Sequence, residues 1–139
     1  MALSTATYLA DKSALARFTI PAVADRLRPL IEDGLIATCA IIDLEVLYSS
    51  RNLREYEAIL DERRSFDNAP ITAEVMAKAI ELQHELARHG QHRIPIPDLI
   101  ISAVATIAGL VVLHYDHDFA RIASVGGANH EWVVPAGSI

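Results

Sequence analysis

Two short and almost wholly apolar runs, Leu35 to Ile42 and Leu110 to Tyr115, constrain the fold of this chain more than any other feature. Runs this short and this apolar read as strands covered on both faces, the situation inside a parallel sheet. Between and around them the apolar residues recur at helical spacing. Pro21 suits a first helical turn, with Val23, Leu27, Leu30 and Ile31 inward, Pro29 kinking or shortening the helix and Gly34 ending it. Asn52 with Glu55 three residues on opens a helix to about Arg64, and Thr72 caps another with Val75, Ala79, Leu82 and Leu86 inward, ending at Gly90. Pro97 opens a helix that Gly109 stops. Shorter elements complete the pattern: a strand over Tyr8 to Ala10, a helix over Ser13 to Phe18, an edge strand within Phe66 to Ile71, a helix over Phe119 to Val125 and a strand over Glu131 to Val134. Strands alternating with helices imply right-handed crossovers and a three-layer α/β/α sandwich with a central, mostly parallel sheet.

Four carboxylates sit where these apolar segments meet a turn or a helix start. Asp11 closes the run Ala6-Thr7-Tyr8-Leu9-Ala10, Glu45 follows Ile36 to Ile42, Asp98 follows Pro95-Ile96-Pro97, and Asp116 follows Leu110 to Tyr115. In an open α/β sheet such positions gather at one edge, where sites of this architecture lie. Acids brought together repel unless something positive sits among them, and hard oxygen ligands suit Mg²⁺ or Mn²⁺. Each acid also has a plain structural role open to it. Asp11 can cap the helix near Ser13, and Asp98 at a helix start gains from the helix dipole. Asp43 is expected to cap the helix carrying Glu45, and Asp118 the helix after it, leaving Asp116 free to face the cleft. Glu45 is harder to explain structurally, because Ile41, Ile42, Leu44, Val46 and Leu47 surround it and an unpaired carboxylate there is costly.

At 139 residues the chain fits one domain, 1–139, with a single sizeable core. Its formal charge of -6 does not mark a nucleic-acid binder, but carboxylates collected at a metal site account for part of the excess. The one cysteine, Cys39, excludes an internal disulfide and lies in an apolar run, as a buried side chain does. No secretory signal is visible, and Leu99 to Tyr115, although free of formal charge, reads as a buried helix, a glycine stop and a buried strand, not a membrane span. A cytoplasmic protein is expected. Tight His/Cys spacing for zinc is missing, although His114 and His117 bracket Asp116 and could touch the site. Arg51, Arg54, Arg63 and Arg64 are expected to flank the approach or line a solvated helix face, and Tyr48 and Tyr56 to pack at a helix pair or an interface.

The chain resembles a PIN-domain ribonuclease, in particular the VapC-type toxins of prokaryotic toxin–antitoxin pairs. The likeness is carried by Tyr8-Leu9-Ala10-Asp11-Lys12-Ser13, by Ile36-Ala37-Thr38-Cys39 through Leu44-Glu45-Val46-Leu47-Tyr48, and by Ile96-Pro97-Asp98-Leu99-Ile100-Ile101-Ser102-Ala103. It continues in Val111-Val112-Leu113-His114-Tyr115-Asp116-His117-Asp118-Phe119 and in the closing strand Trp132-Val133-Val134-Pro135. Lys12 and His114 depart from the pattern, each standing where the family commonly has threonine. The resemblance implies an endoribonuclease dependent on Mg²⁺ (or Mn²⁺), with Asp11 and Asp98 as central ligands. Glu45 and Asp116 would complete the acidic quartet, Asp118 would assist, and Ser13 would support Asp11 or a phosphate if it is not simply an N-cap. It also implies an RNA substrate, a homodimer and a small VapB-like antitoxin that places a basic side chain in the acidic cleft. A DNA- or structure-specific nuclease with the same site is the nearest rival. A receiver-like module is disfavoured because no lysine follows Lys78, and a silent binding module by the intact quartet.

Overall fold

The computed structural model describes residues 5–139. Five strands, β1 (Tyr8–Ala10), β2 (Ile36–Thr38), β3 (Asp67–Asn68), β4 (Val111–His114) and β5 (His130–Trp132), form one sheet in the order β3-β2-β1-β4-β5. Every pairing is parallel, with Tyr8 opposite both Ile36 and Val111, and His114 opposite Trp132. Among the described residues seven helices surround it: α1 (Lys12–Leu15), α2 (Pro21–Glu32), α3 (Ala40–Tyr48), α4 (Leu53–Arg64), α5 (Ala73–Arg88), α6 (Ile96–Ala108) and α7 (His117–Ala123).

Successive strand residues point to opposite faces, and the core divides accordingly. Leu9, Ala37 and Val112 belong to a cluster with Ile42, Leu82, Leu86 and Ile101 from α3, α5 and α6. Ala10, Ile36 and Leu113 face the other way, onto Ala14, Val23 and Leu27 of α1 and α2. The result is the three-layer α/β/α sandwich. Because β1 has β2 on one side and β4 on the other, chain order reverses between β1 and β4. The crevice outside the ends of those two strands is where such sheets hold their sites.

Several elements differ from the sequence expectation. The strand expected over Leu35 to Ile42 stops at Thr38; Cys39 is extended and α3 begins at Ala40. An apolar run alone does not separate a buried strand from a buried helix. Asp43 therefore lies inside the first turn of α3 and is not its cap. Its Oδ1 instead accepts from Thr38 Oγ1 at 2.7 Å and from Arg63 Nε at 2.8 Å. Arg63 is 6% exposed, so it is a buried partner of Asp43 and neither flanks the site nor lines a solvated face. Helix α1 ends at Leu15, short of Phe18, and Arg17, Phe18 and Ile20 continue in tighter i to i−3 bonds. That tightening turns the chain toward Ile20, whose backbone is extended as a residue before proline requires. Helix α2 runs through Pro29, which sits on the exposed side where solvent can satisfy the Asp25 carbonyl. No described helix is long and apolar enough to cross a membrane. Leu99 to Tyr115 is divided by Gly109, at φ 70°, into the end of α6 and β4.

Candidate active site

Asp11 and Asp116 are carried to the crevice by the ends of β1 and β4, and Asp98 by the start of α6. Glu45, expected where an apolar run meets a helix start, lies instead in the second half of α3, because β2 ends early. Asp11 follows β1, and its backbone N–H donates to the Leu113 carbonyl of β4 at 2.9 Å. Its side chain caps α1, with Oδ2 accepting from the Ser13 N–H at 3.0 Å. The Ser13 hydroxyl in turn accepts from the Tyr115 N–H at 2.8 Å. Ser13 is thus not an N-cap; it ties the loop after β1 to the loop after β4.

Asp116 follows β4 and caps α7, Oδ1 accepting from the Asp118 N–H at 2.9 Å. The expected roles are exchanged here, since the cap is Asp116 and Asp118 lies in the first turn. Asp118 still faces the crevice, with Arg121 3.6 Å away on the same helix. One carboxylate oxygen each from Asp98, Asp116 and Asp118 lie within 4.8 Å of one another. Among the described residues this trio meets as a set of three potential ligands, and Asp98 is common to it and to the Asp11–Asp98 pair that the resemblance made central.

Asp98 is 7% exposed in the first turn of α6. A helix N-terminus favours a carboxylate by about 0.3–1 kcal/mol, yet its pKa is pushed up to about 8. Burial is the largest cause, followed by the charges of Asp11, Asp116, Asp118 and Glu45. Desolvation and like charge overwhelm the dipole. Asp11 is raised for the same first reason, against hydrogen bonds from Ser13 that favour its ionised form. Glu45 is raised by burial and then by Asp11, with Lys12 opposing. Glu45 Oε1 is buried without a hydrogen-bond partner, alone in this among the side-chain oxygens and nitrogens of the described residues.

Behind Asp116 stands a histidine pair. His114 is fully buried, its Nδ1 accepts from the Asp116 N–H at 3.0 Å, and its Nε2 lies 2.8 Å from His130 Nδ1. Burial first, then His130 and His117, lower its pKa to about 4, so the ring is neutral at ordinary pH. His117 is exposed and rests edge-on against Trp132. Sequence reasoning gave no place to His130, sixteen residues from its partner, nor to Arg17. The Arg17 guanidinium donates to the Ser13 carbonyl at 2.7 Å and covers the Tyr115 ring. Its spacing of four from Ser13 was the available signal. Arg51, Arg54 and Arg64 are exposed, and Arg51 pairs with Glu55 of α4. Tyr48 is 88% exposed and packs at no helix pair.

The donor set fits a hard divalent cation. Its groups are carboxylate oxygens, one of them buried and unpartnered, and burial together with the neighbouring negative charges holds the proton on Asp98 up to about pH 8, a charge imbalance that a cation would relieve.

Residues 8–125 match the family model of the PIN domain. Ribonuclease VapC21 of Mycobacterium tuberculosis is 46% identical over 138 residues, covering 96% of this chain and 99% of the relative. Ribonuclease VapC51 of the same species is 44% identical over 132 residues, covering 95% and 96%. Among solved structures, VapBC2 from Rickettsia felis bound to a DNA fragment from their promoter superposes with a TM-score of 0.72 at 20% identity, over 90% of this chain and 97% of that one.

Proposed function

The chain belongs to the PIN-domain family, beside the VapC ribonucleases, and from that membership and its acidic crevice we infer that it is an endoribonuclease toxin dependent on Mg²⁺ or Mn²⁺. The observation that carries the metal reading is the set of carboxylates from Asp98, Asp116 and Asp118 within 4.8 Å, with Asp11 and Glu45 adding to the same field. The domain is taken as 1–139. Asp11, Asp98, Asp116, Asp118 and Glu45 would hold the cation. When bound, the ion lowers the pKa of a water and offsets charge on the scissile phosphodiester.

The protein's own groups do the rest. Without a cation the crevice repels an RNA phosphate, so substrate binding and metal binding are linked through the same acids. Asp11 and Asp116 each have one oxygen committed to a helix cap, which fixes the direction of the other. Ser13 holds the two loops together through the Tyr115 amide. Glu45 brings an oxygen that no protein donor occupies. Lys12, close enough to Glu45 to favour its ionised form, adds the positive charge at this edge of the site.

A VapB-like antitoxin is the proposed partner. In support, a mainly apolar cavity of about 570 Å³ opens between α1, α2, α3 and α4, lined by Leu15, Phe18, Ile31, Val46, Ile59 and Phe66 together with Glu62, Arg63 and Ser65. Such a groove suits the apolar face of a partner helix. A homodimer is proposed as well, supported by exposed Leu44, Tyr48, Ile80 and Ile96. The site of action proposed is the cytoplasm.

The test is cleavage of a single-stranded RNA with Mg²⁺ or Mn²⁺, beside DNA of the same sequence. Asp98→Asn and Asp11→Asn should each lower the rate by about 100-fold or more, the scale of losing one main stabiliser of transition-state charge. Full metal-dependent activity in either folded variant refutes the site, and preferential cleavage of the DNA refutes the substrate.

A further inference from the structure

The acid at the end of β4 is aimed from behind. Its backbone N–H has one proton to give and gives it to His114 Nδ1, so that nitrogen is bare. In a neutral imidazole the proton must then sit on Nε2, which points at His130 Nδ1. His130 Nδ1 can only accept. One direction of hydrogen bonding is therefore set along the whole line, from the Asp116 amide to His114 and from His114 to His130 of β5. Phe119 and Trp132 flank the His114 ring, with centroids 5.0 and 4.9 Å away, and leave it little freedom to turn.

We propose that His114 and His130 are positioning residues for the metal site, a relay through which edge strand β5 sets where the Asp116 and Asp118 carboxylates stand. The inference rests on the metal reading above and adds residues that touch neither cation nor substrate. The physical link is short. Asp116 is the N-cap of α7, its Oδ1 holds the Asp118 amide, and both carboxylates belong to the trio with Asp98. Loss of the His130 acceptor leaves the buried His114 Nε2–H without a partner and favours the other tautomer, whose protonated Nδ1 cannot accept from the Asp116 amide. Groups that orient ligands in this way typically change metal affinity by 10–100-fold when removed.

The full chain is tested without RNA, and by variation at half-buried His130, because His114 is too deeply buried to replace without cost. ¹⁵N NMR of the metal-free wild type should show His114 bare at Nδ1 and protonated at Nε2. Mn²⁺ titration by calorimetry should show His130→Leu binding about tenfold more weakly. His130→Asn, whose side-chain oxygen can take the place of Nδ1, should stay within about twofold of wild type. Thermal melts establish that both variants are folded. A proton found on His114 Nδ1, unchanged affinity in His130→Leu, or His130→Asn as weak as His130→Leu overturns the inference while the metal site stands. A wild type that binds no Mn²⁺ overturns the metal site and the relay together.

Discussion

Replacing Asp98 by asparagine should make the metal-free protein more stable, by an amount that grows with pH. In the fold the Asp98 carboxyl keeps its proton to about pH 8, while in the unfolded chain it titrates near 3.8. Between those values the native state binds more protons than the unfolded state, so wild-type stability falls as pH rises and levels off above about pH 8. Each pH unit in that window is about 1.4 kcal/mol, so between about pH 5 and pH 8 the wild type should lose about 4 kcal/mol through this carboxyl. Against a typical total of about 5–15 kcal/mol that is a large fraction. Asp11 and Glu45 share the same field and tend to spread the loss over neighbouring acids, without changing its sign. Asp98→Asn has the same shape and nothing to ionise, so its stability should lack this slope.

The assay is urea unfolding of both proteins in chelator, across that pH range. A saturating cation should then restore the wild type at high pH, about 2.7 kcal/mol at a hundred times its Kd, and shift Asp98→Asn much less. Parallel pH profiles for the two proteins would refute the reasoning. So would Asp98→Asn melting well below wild type in chelator, the result expected if Asp98 mainly stabilises the start of α6.

Two other predictions concern residues away from the acids. Arg63→Met should destabilise the fold by about 3 kcal/mol in urea, the lower end for a broken buried pair because Asp43 keeps some solvent contact; a metal affinity lowered in the folded variant would contradict its purely structural role. Tyr48→Asp combined with Ile80→Asp should convert the proposed dimer to monomer in sedimentation velocity, and an unchanged dimer would move the interface off this face.

How much of this could be read in the chain depends on the range of the interaction concerned. Thr72 and Asn52 cap their helices as expected, because an N-cap is decided by a side chain and an amide three residues apart. Gly109 ends α6 with the left-handed backbone that glycine permits, again a local matter. The parallel sheet and its two apolar faces were legible in the strand runs, since residues buried on both sides leave a composition that does not depend on which strand lies alongside. The end of β2 was not, because Ala40 to Ile42 are as apolar in a helix as in a strand.

The sequence by itself determined that acids would stand after β1 and β4 and, at Asp98, at the start of a buried helix, because strand ends and helix starts are local features. Only the tertiary structure decided which acids meet. Asp98, Asp116 and Asp118 come within 4.8 Å because the order β3-β2-β1-β4-β5 places α6 and α7 over the same crevice. The same holds for Arg63 on Asp43, twenty residues apart, and for His130 on His114 across two strands. Asp116 and Asp118 share the capped turn of α7, but Asp98 with that pair, Arg63 with Asp43 and His130 with His114 join residues that share no turn, helix face or strand alternation. Their geometry follows from strand order and packing, and helical or strand periodicity records neither.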